Sequence, residues 1–194
     1  MVFQKFLNYM YWRVFMVNKL KHISLLNENL HLDFSEKIKM IQVVLKDYYR
    51  ENNYDKALDI LEVIQLENNQ LFDYFVYLLI NQKYEYIKEN NLFYSAMLSF
   101  CCQQYLLREA CILIILLKVS GCDEEDYIDG LIFLNYQKRV DGYMGYINPI
   151  DFNLSMYSEE FLLEKFYIPN TLFSLLVYYI LEDYETMEEI LCKI

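Results

Sequence analysis

The chain has 194 residues, of which 56% are hydrophobic and 18% aromatic, and its formal net charge is −11. This much apolar surface can offset the entropy of ordering the chain, which excludes intrinsic disorder, and the acidic charge repels phosphates, which argues against binding to DNA or RNA. With only 4 Gly and 2 Pro, the sequence lacks the turn residues of a β-sandwich or barrel, so long helices are expected.

The first half of the chain is predicted to form helices separated by polar turns. An amphipathic N-terminal helix is expected over residues 2–22, with its apolar face either in the core or on a membrane surface. Asp33 and Glu36 have the spacing of a capping box, which predicts a helix from there to Arg50. Asn-rich turns separate the next predicted helices, which begin at Tyr54 and continue as Leu71–Ile80, Leu92–Cys102 and Leu106–Val119.

The second half continues the helical pattern around one long loop. Asp123 is predicted to cap a helix that reaches Lys138, and a loop follows over residues 139–156, where Gly142, Gly145 and Pro149 fall. Three more helices are expected, with Pro169-Asn170 restarting the chain between the first two: Ser158–Tyr167, Leu172–Leu181 and Tyr184–Cys192. The pattern predicts a single all-α domain over residues 1–194, an irregular stack of about ten antiparallel helices.

The residue types that act in catalysis and metal binding form no recognisable motif in this sequence. The sequence has no Gly-rich phosphate loop, no HExxH and no GxSxG, and its 5 cysteines have no CxxC spacing. The acidic cluster from Asp123 to Asp129 lacks the ligand spacing of an EF-hand and is better explained as the charged start of a helix. We therefore expect no metal, no cofactor and no enzymatic activity, with the cysteines as free thiols of an intracellular, cytoplasmic protein.

An internal repeat is the most informative feature of the sequence. Tyr48-Tyr49 and the later Tyr54 match Tyr178-Tyr179 and the later Tyr184, and each segment closes with Ile-Leu. Each copy is predicted to be the end of one helix, a tight turn and the start of a second helix. A tyrosine at the turn would fill the wedge between two antiparallel helices, and helix pairs of this kind stack because one pair cannot bury its faces alone.

The segment 47–70, DYYRENNYDKALDILEVIQLENNQ, resembles a tetratricopeptide repeat, with Tyr48, Tyr54 and Ala57 on that family's aromatic and small positions. The resemblance covers one repeat and implies a protein–protein interaction module, such as an adaptor, scaffold or chaperone, whose concave surface binds a partner polypeptide. By the same resemblance, the outward positions of the first helix are Lys39, Gln42, Lys46 and Tyr49. Two lysines beside a tyrosine would suit an acidic peptide or C-terminus.

Two other functional hypotheses remain open. Leu7–Arg13 (LNYMYWR) and Leu172–Leu191 (LFSLLVYYILEDYETMEEIL) resemble the first and last helices of poxviral Bcl-2-like proteins, which implies a compact helical decoy that sequesters a host signalling protein. The other hypothesis is a small-molecule binder or enzyme that uses the 139–156 loop as a lid. The longest purely apolar run, Ala110–Leu117, is far shorter than the ~20 residues of a membrane span. A homo-oligomer is also open, since some aromatic faces could be completed by a second subunit.

Overall fold

The structure is a computed structural model that describes residues 24–50, 71–145 and 158–194; the side chains of 47–50, 159, 160, 164 and 165 are outside this description. Within these ranges the chain is all-α, as predicted, and no strand occurs. Residues 24–28 are helical. The helices that follow are α1 (Phe34–Arg50), α2 (Leu71–Ile80), α3 (Tyr84–Glu89), α4 (Asn91–Gln103), α5 (Leu107–Val119), α6 (Ile128–Tyr136), α7 (Glu159–Leu162), α8 (Ile168–Leu181) and α9 (Tyr184–Leu191).

Local capping chemistry sets several of these helix ends. At the start of α1 the Glu36 amide donates to Asp33 Oδ1 over 2.9 Å and the Asp33 amide donates to Glu36 Oε2 over 3.2 Å, which confirms the predicted capping box. At the end of α5, Gly121 adopts φ +71°, a left-handed conformation that glycine takes without strain. The helix ends at Val119, as predicted.

Two predicted boundaries were wrong. The helix expected from Asp123 to Lys138 is divided into a 3₁₀ turn over Glu124–Asp126 and α6, because Asp126 accepts from the Asp123 amide at 3.2 Å and from the Asn91 side chain of α4. Pro169 does not restart the chain, since it lies in the first turn of α8 directly after a π-helical turn over Leu163–Tyr167. Proline is tolerated in the first turn of a helix, where the backbone N–H groups need no intrahelical partner.

Helix α5 lies at the centre of the described structure. Apart from Arg108, which is partly buried, its residues from Leu107 to Leu117 are all buried. It packs against α2, α3, α4, α6 and α8, and α8 also contacts α1 and α9. A helix that is apolar on every side requires neighbours all round, and the surrounding helices provide them.

Other predicted segments are described only in part. The N-terminal helix over residues 2–22 and the turn at Tyr54 lie outside the described residues. Of the predicted 139–156 loop, the structure describes residues 139–145, which form a tight turn with an isolated antiparallel bridge between Lys138 and Met144. The Gly145 amide donates to the Gln137 carbonyl over 2.8 Å, and Met144 is buried. This end of the loop is therefore fixed on the core.

Candidate functional site

The outer face of α1 carries two of the four residues predicted to bind a partner. Lys39 and Lys46 are both exposed, and the exposed Val43 lies between them on the same side of the helix. Tyr49 belongs to the last turn of α1, and its side chain lies outside the described residues. The two lysines with Val43 therefore form a solvent-facing stripe on α1.

Gln42 does not belong to that stripe. Its side-chain amide donates to the Leu79 carbonyl at the end of α2 over 3.2 Å and to the Tyr84 hydroxyl over 3.5 Å. Tyr84, at the bend between α2 and α3, also donates to Leu79 O over 3.4 Å. Gln42 thus ties α1 to the α2–α3 turn and is half-buried there.

A buried lysine, which the sequence analysis did not single out, connects α1 to the α8–α9 turn. The Lys37 side chain is only 3% exposed, and its ammonium donates to Glu182 Oε1 over 2.7 Å and to the Tyr184 hydroxyl. It also lies 5.7 Å from the centre of the Tyr179 ring and 5.1 Å from that of Tyr184, within the range of cation–π attraction. We call Lys37, Tyr179, Glu182 and Tyr184 the lysine clamp.

The lysine clamp also holds the start of the described chain. Tyr179 donates its hydroxyl to the Asn29 carbonyl over 2.9 Å, and Tyr184 donates to the Leu30 carbonyl over 3.2 Å. Glu182 has φ +62° and caps α8 in the left-handed region. One of the paired tyrosines of the sequence repeat, Tyr179, and the turn tyrosine, Tyr184, therefore fix this corner, and Tyr184 is half-buried rather than exposed.

The charge state of the lysine clamp follows from its contacts. Burial alone would lower the pKa of Lys37, but the hydrogen bonds to Glu182 and Tyr184 outweigh it and raise that pKa above its ordinary value. The bond from Lys37 holds the pKa of the Glu182 carboxyl below its ordinary value. A lysine held protonated in this way is a poor nucleophile, so the arrangement is suited to fixing the fold and not to covalent catalysis.

A second surface presents apolar side chains to solvent on α4 and α6. On α4, Leu92, Ala96 and Phe100 recur every fourth residue and are exposed, and Leu92 is 79% exposed. On α6 the same spacing brings out Ile128, Ile132 and Tyr136, the last two at 50% and 76% exposure. We call these two rows together the α4/α6 face.

The two rows open to solvent on the same side because the inner sides of both helices converge on α5. A Cβ placed on Gly130 would lie 2.8 Å from Ile114 Cγ1 of α5 and 2.9 Å from Leu98 Cδ2 of α4, so glycine permits this close approach. Between the helices, Ser99 donates to Asp129 over 3.2 Å. The rows lie on the sides of α4 and α6 that point away from Leu98 and Gly130.

Burial determines the charge state of two thiols on α4. Burial raises the pKa of Cys101 and of Cys102 to about 12, so both thiols stay protonated near neutral pH. Cys192 is exposed and free. Among residues 24–50, 71–145 and 158–194, no group of three or more His, Cys, Asp or Glu side chains is placed to hold a metal ion.

Comparison with known proteins assigns no family to this chain. No protein-family model, curated protein or solved structure matches it. Within the part of the chain that the structure describes, no helix is long and apolar enough to cross a membrane.

Proposed function

We propose that this protein is a non-enzymatic protein–protein interaction module, an adaptor, scaffold or chaperone-like protein, that binds a partner polypeptide on its helical surface. The observation that supports this function is the α4/α6 face. Large apolar side chains in an ordered array on a protein surface are typical of interaction sites, whereas exposed apolar residues scattered singly are not. The two rows repeat every fourth residue on neighbouring helices and are an array of this kind.

The tetratricopeptide-like arrangement is part of this proposal. It is supported by two half-buried tyrosines at helix bends. Tyr84 donates to the Leu79 carbonyl at the end of α2, and Tyr184 accepts from the Lys37 ammonium of α1. In this arrangement the α1 stripe of Lys39, Val43 and Lys46 would line the surface that holds an acidic peptide, with Tyr49 in the last turn of the same helix. Gln42 would position α1 against α2 instead of touching the partner.

One observation favours a second candidate function. A helix buried on every side, as α5 is, suits a compact bundle more than a stack in which each hairpin touches only its neighbours. The second candidate is therefore a compact Bcl-2-like decoy that sequesters a host signalling protein, the function that the resemblance of residues 7–13 and 172–191 implies. Small-angle scattering distinguishes the two, since a compact globule of this length has a radius of gyration of about 16 Å and a curved stack exceeds that value.

Affinity purification with matched surface variants tests the proposed function. We expect partners of the wild-type chain to be lost on Ile132→Ser/Tyr136→Ser, which changes only exposed side chains of the α4/α6 face. Lys39→Glu/Lys46→Glu is the matched variant for the α1 stripe, and loss of partners on that variant alone would move the binding site to α1. If neither variant changes the proteins recovered with the wild type, these surfaces do not bind a partner and the proposal is wrong.

A further inference from the structure

The charges on the two segments that carry the α4/α6 face are of one sign. Helix α4 contains no charged residue over its whole length, from Asn91 to Gln103. The segment from Asp123 to Tyr136 contains 5 acidic residues and no basic residue. Glu124, Glu125 and Asp129 are exposed beside the α6 row. The apolar rows are therefore bordered by negative charge and by no positive charge from these elements.

The two rows also have the dimensions of a helix-binding surface. Each row extends over nine residues, and the eight steps between its first and last residue correspond to about 12 Å or just over two turns. The helices run in the same direction, because Asn91 of α4 contacts Asp126 while Ser99, further along α4, contacts Asp129. Two neighbouring helices with apolar rows form a shallow groove, and an amphipathic helix fills such a groove with side chains at i, i+3, i+4 and i+7.

We propose that the α4/α6 face binds a basic amphipathic α-helix of a partner protein, with its apolar ridge between the two rows and its Lys or Arg side chains over Glu124, Glu125 and Asp129. This inference rests on the proposed function and adds the chemistry of the partner. Acidic residues at the edge of the groove attract a basic partner, raise its association rate and disfavour an acidic one.

The same charges argue against a second copy of this chain as the occupant. Two α4/α6 faces brought together would place acidic residues opposite one another, and such like-charge contacts are destabilising. The net charge of −11 adds to that repulsion. A heterologous basic helix is favoured on both counts.

Fluorescence anisotropy with designed peptides tests this inference on the full chain. The probe is a labelled 18-residue helix of Leu and Lys with Leu at i, i+3, i+4 and i+7. Two control peptides share its length: one keeps the composition but scrambles the Leu positions, and the other replaces each Lys by Glu. We expect the first peptide to bind at least about tenfold more tightly than either control.

Variants of the chain locate the peptide and separate the apolar from the charged contribution. Ile132→Ser/Tyr136→Ser should weaken peptide binding about tenfold or more, since both apolar side chains leave the groove. Glu124→Gln/Glu125→Gln should weaken it less and make it less sensitive to salt. Val43→Ser, an exposed valine on α1, is the matched control and should leave binding unchanged.

Each other outcome overturns the inference in a distinguishable way. Equal binding of the scrambled peptide would mean that charge alone holds it, and tighter binding of the Glu peptide would reverse the assigned partner chemistry. A dimer in light scattering that Ile132→Ser/Tyr136→Ser abolishes would make a second copy the occupant. If the basic peptide fails to bind while purified partners still depend on Ile132 and Tyr136, the partner chemistry is wrong but the proposed function stands.

Discussion

In the lysine clamp, we expect removal of the anion, Glu182, to destabilise the fold more than removal of the cation, Lys37. In Glu182→Ala the Lys37 ammonium stays buried and retains only the Tyr184 hydroxyl and two ring faces as partners. Loss of one partner of a fully buried pair costs about 3–5 kcal/mol, and since the Glu182 side chain is 58% exposed and partly screened we discount this to about 1–3 kcal/mol. The φ of +62° adds nothing, because alanine and glutamate share the same Cβ.

Lys37→Met removes the buried charge and keeps an unbranched side chain that is one atom shorter. Glu182 can then be hydrated where it is already exposed, and Tyr184 can still donate to the Leu30 carbonyl. Replacement of a buried ion by an apolar side chain of similar volume is often neutral, so we expect a change within about 1 kcal/mol. Urea unfolding followed by circular dichroism measures both free energies of unfolding.

The control for this pair of variants is Glu185→Ala, an exposed carboxylate in the first turn of α9. That change should alter the free energy of unfolding by less than about 0.5 kcal/mol. A Lys37→Met variant that is less stable than Glu182→Ala would refute the reasoning, because the buried ammonium would then be a net source of stability by itself.

Three further measurements test other parts of the structure. Because the pKa of Glu182 is lowered, its contribution to stability is complete above the ordinary value of 4.5 and is lost as the pH falls from there through the lowered pKa, so unfolding curves of the wild type and Glu182→Ala should converge in acid. Gly130→Ala gains about 1 kcal/mol of helix propensity but forces a Cβ to within 2.8 Å of Ile114, an overpacking cost of about 1–3 kcal/mol, so the melting temperature should fall; a rise would contradict the close α5–α6 packing. In native protein, iodoacetamide mapped by mass spectrometry should modify the exposed Cys192 first and leave the fully buried Cys111 unmodified until denaturant is added, whereas equal rates would contradict their placement.

Helix positions could be predicted wherever the deciding chemistry is local. The capping box at Asp33 and Glu36 and the stop at Gly121 involve residues adjacent in sequence, and the helix Leu71–Ile80 has the predicted bounds. Pro169 shows where the local signal is ambiguous, since a proline can mark a break in the chain or lie in the first turn of a helix, as it does here. The contact of Asp126 with Asn91 of α4 depends on tertiary structure.

The candidate surfaces were much less predictable. An apolar row at helical spacing usually faces the core, yet α6 buries Gly130 and Leu134 and exposes Ile132 and Tyr136. The sequence alone gives no way to choose between two apolar sides of one helix. The apolar run Ala110–Leu117, which is too short for a membrane span, does indicate a helix that is buried on all sides. Lys37 could not be found, because its partner Glu182 is 145 residues away.

The central position of α5 has a consequence for how this chain can vary in length. In a linear array, a deletion that removes one unit leaves a shorter array with the same kind of surface. Here one helix, α5, is covered by all of its neighbours, α2, α3, α4, α6 and α8. Deletion of any of these helices would expose leucine and isoleucine side chains of α5 to solvent and promote aggregation. Evolution and engineering are therefore expected to insert or delete residues in the connections and to conserve the set of covering helices.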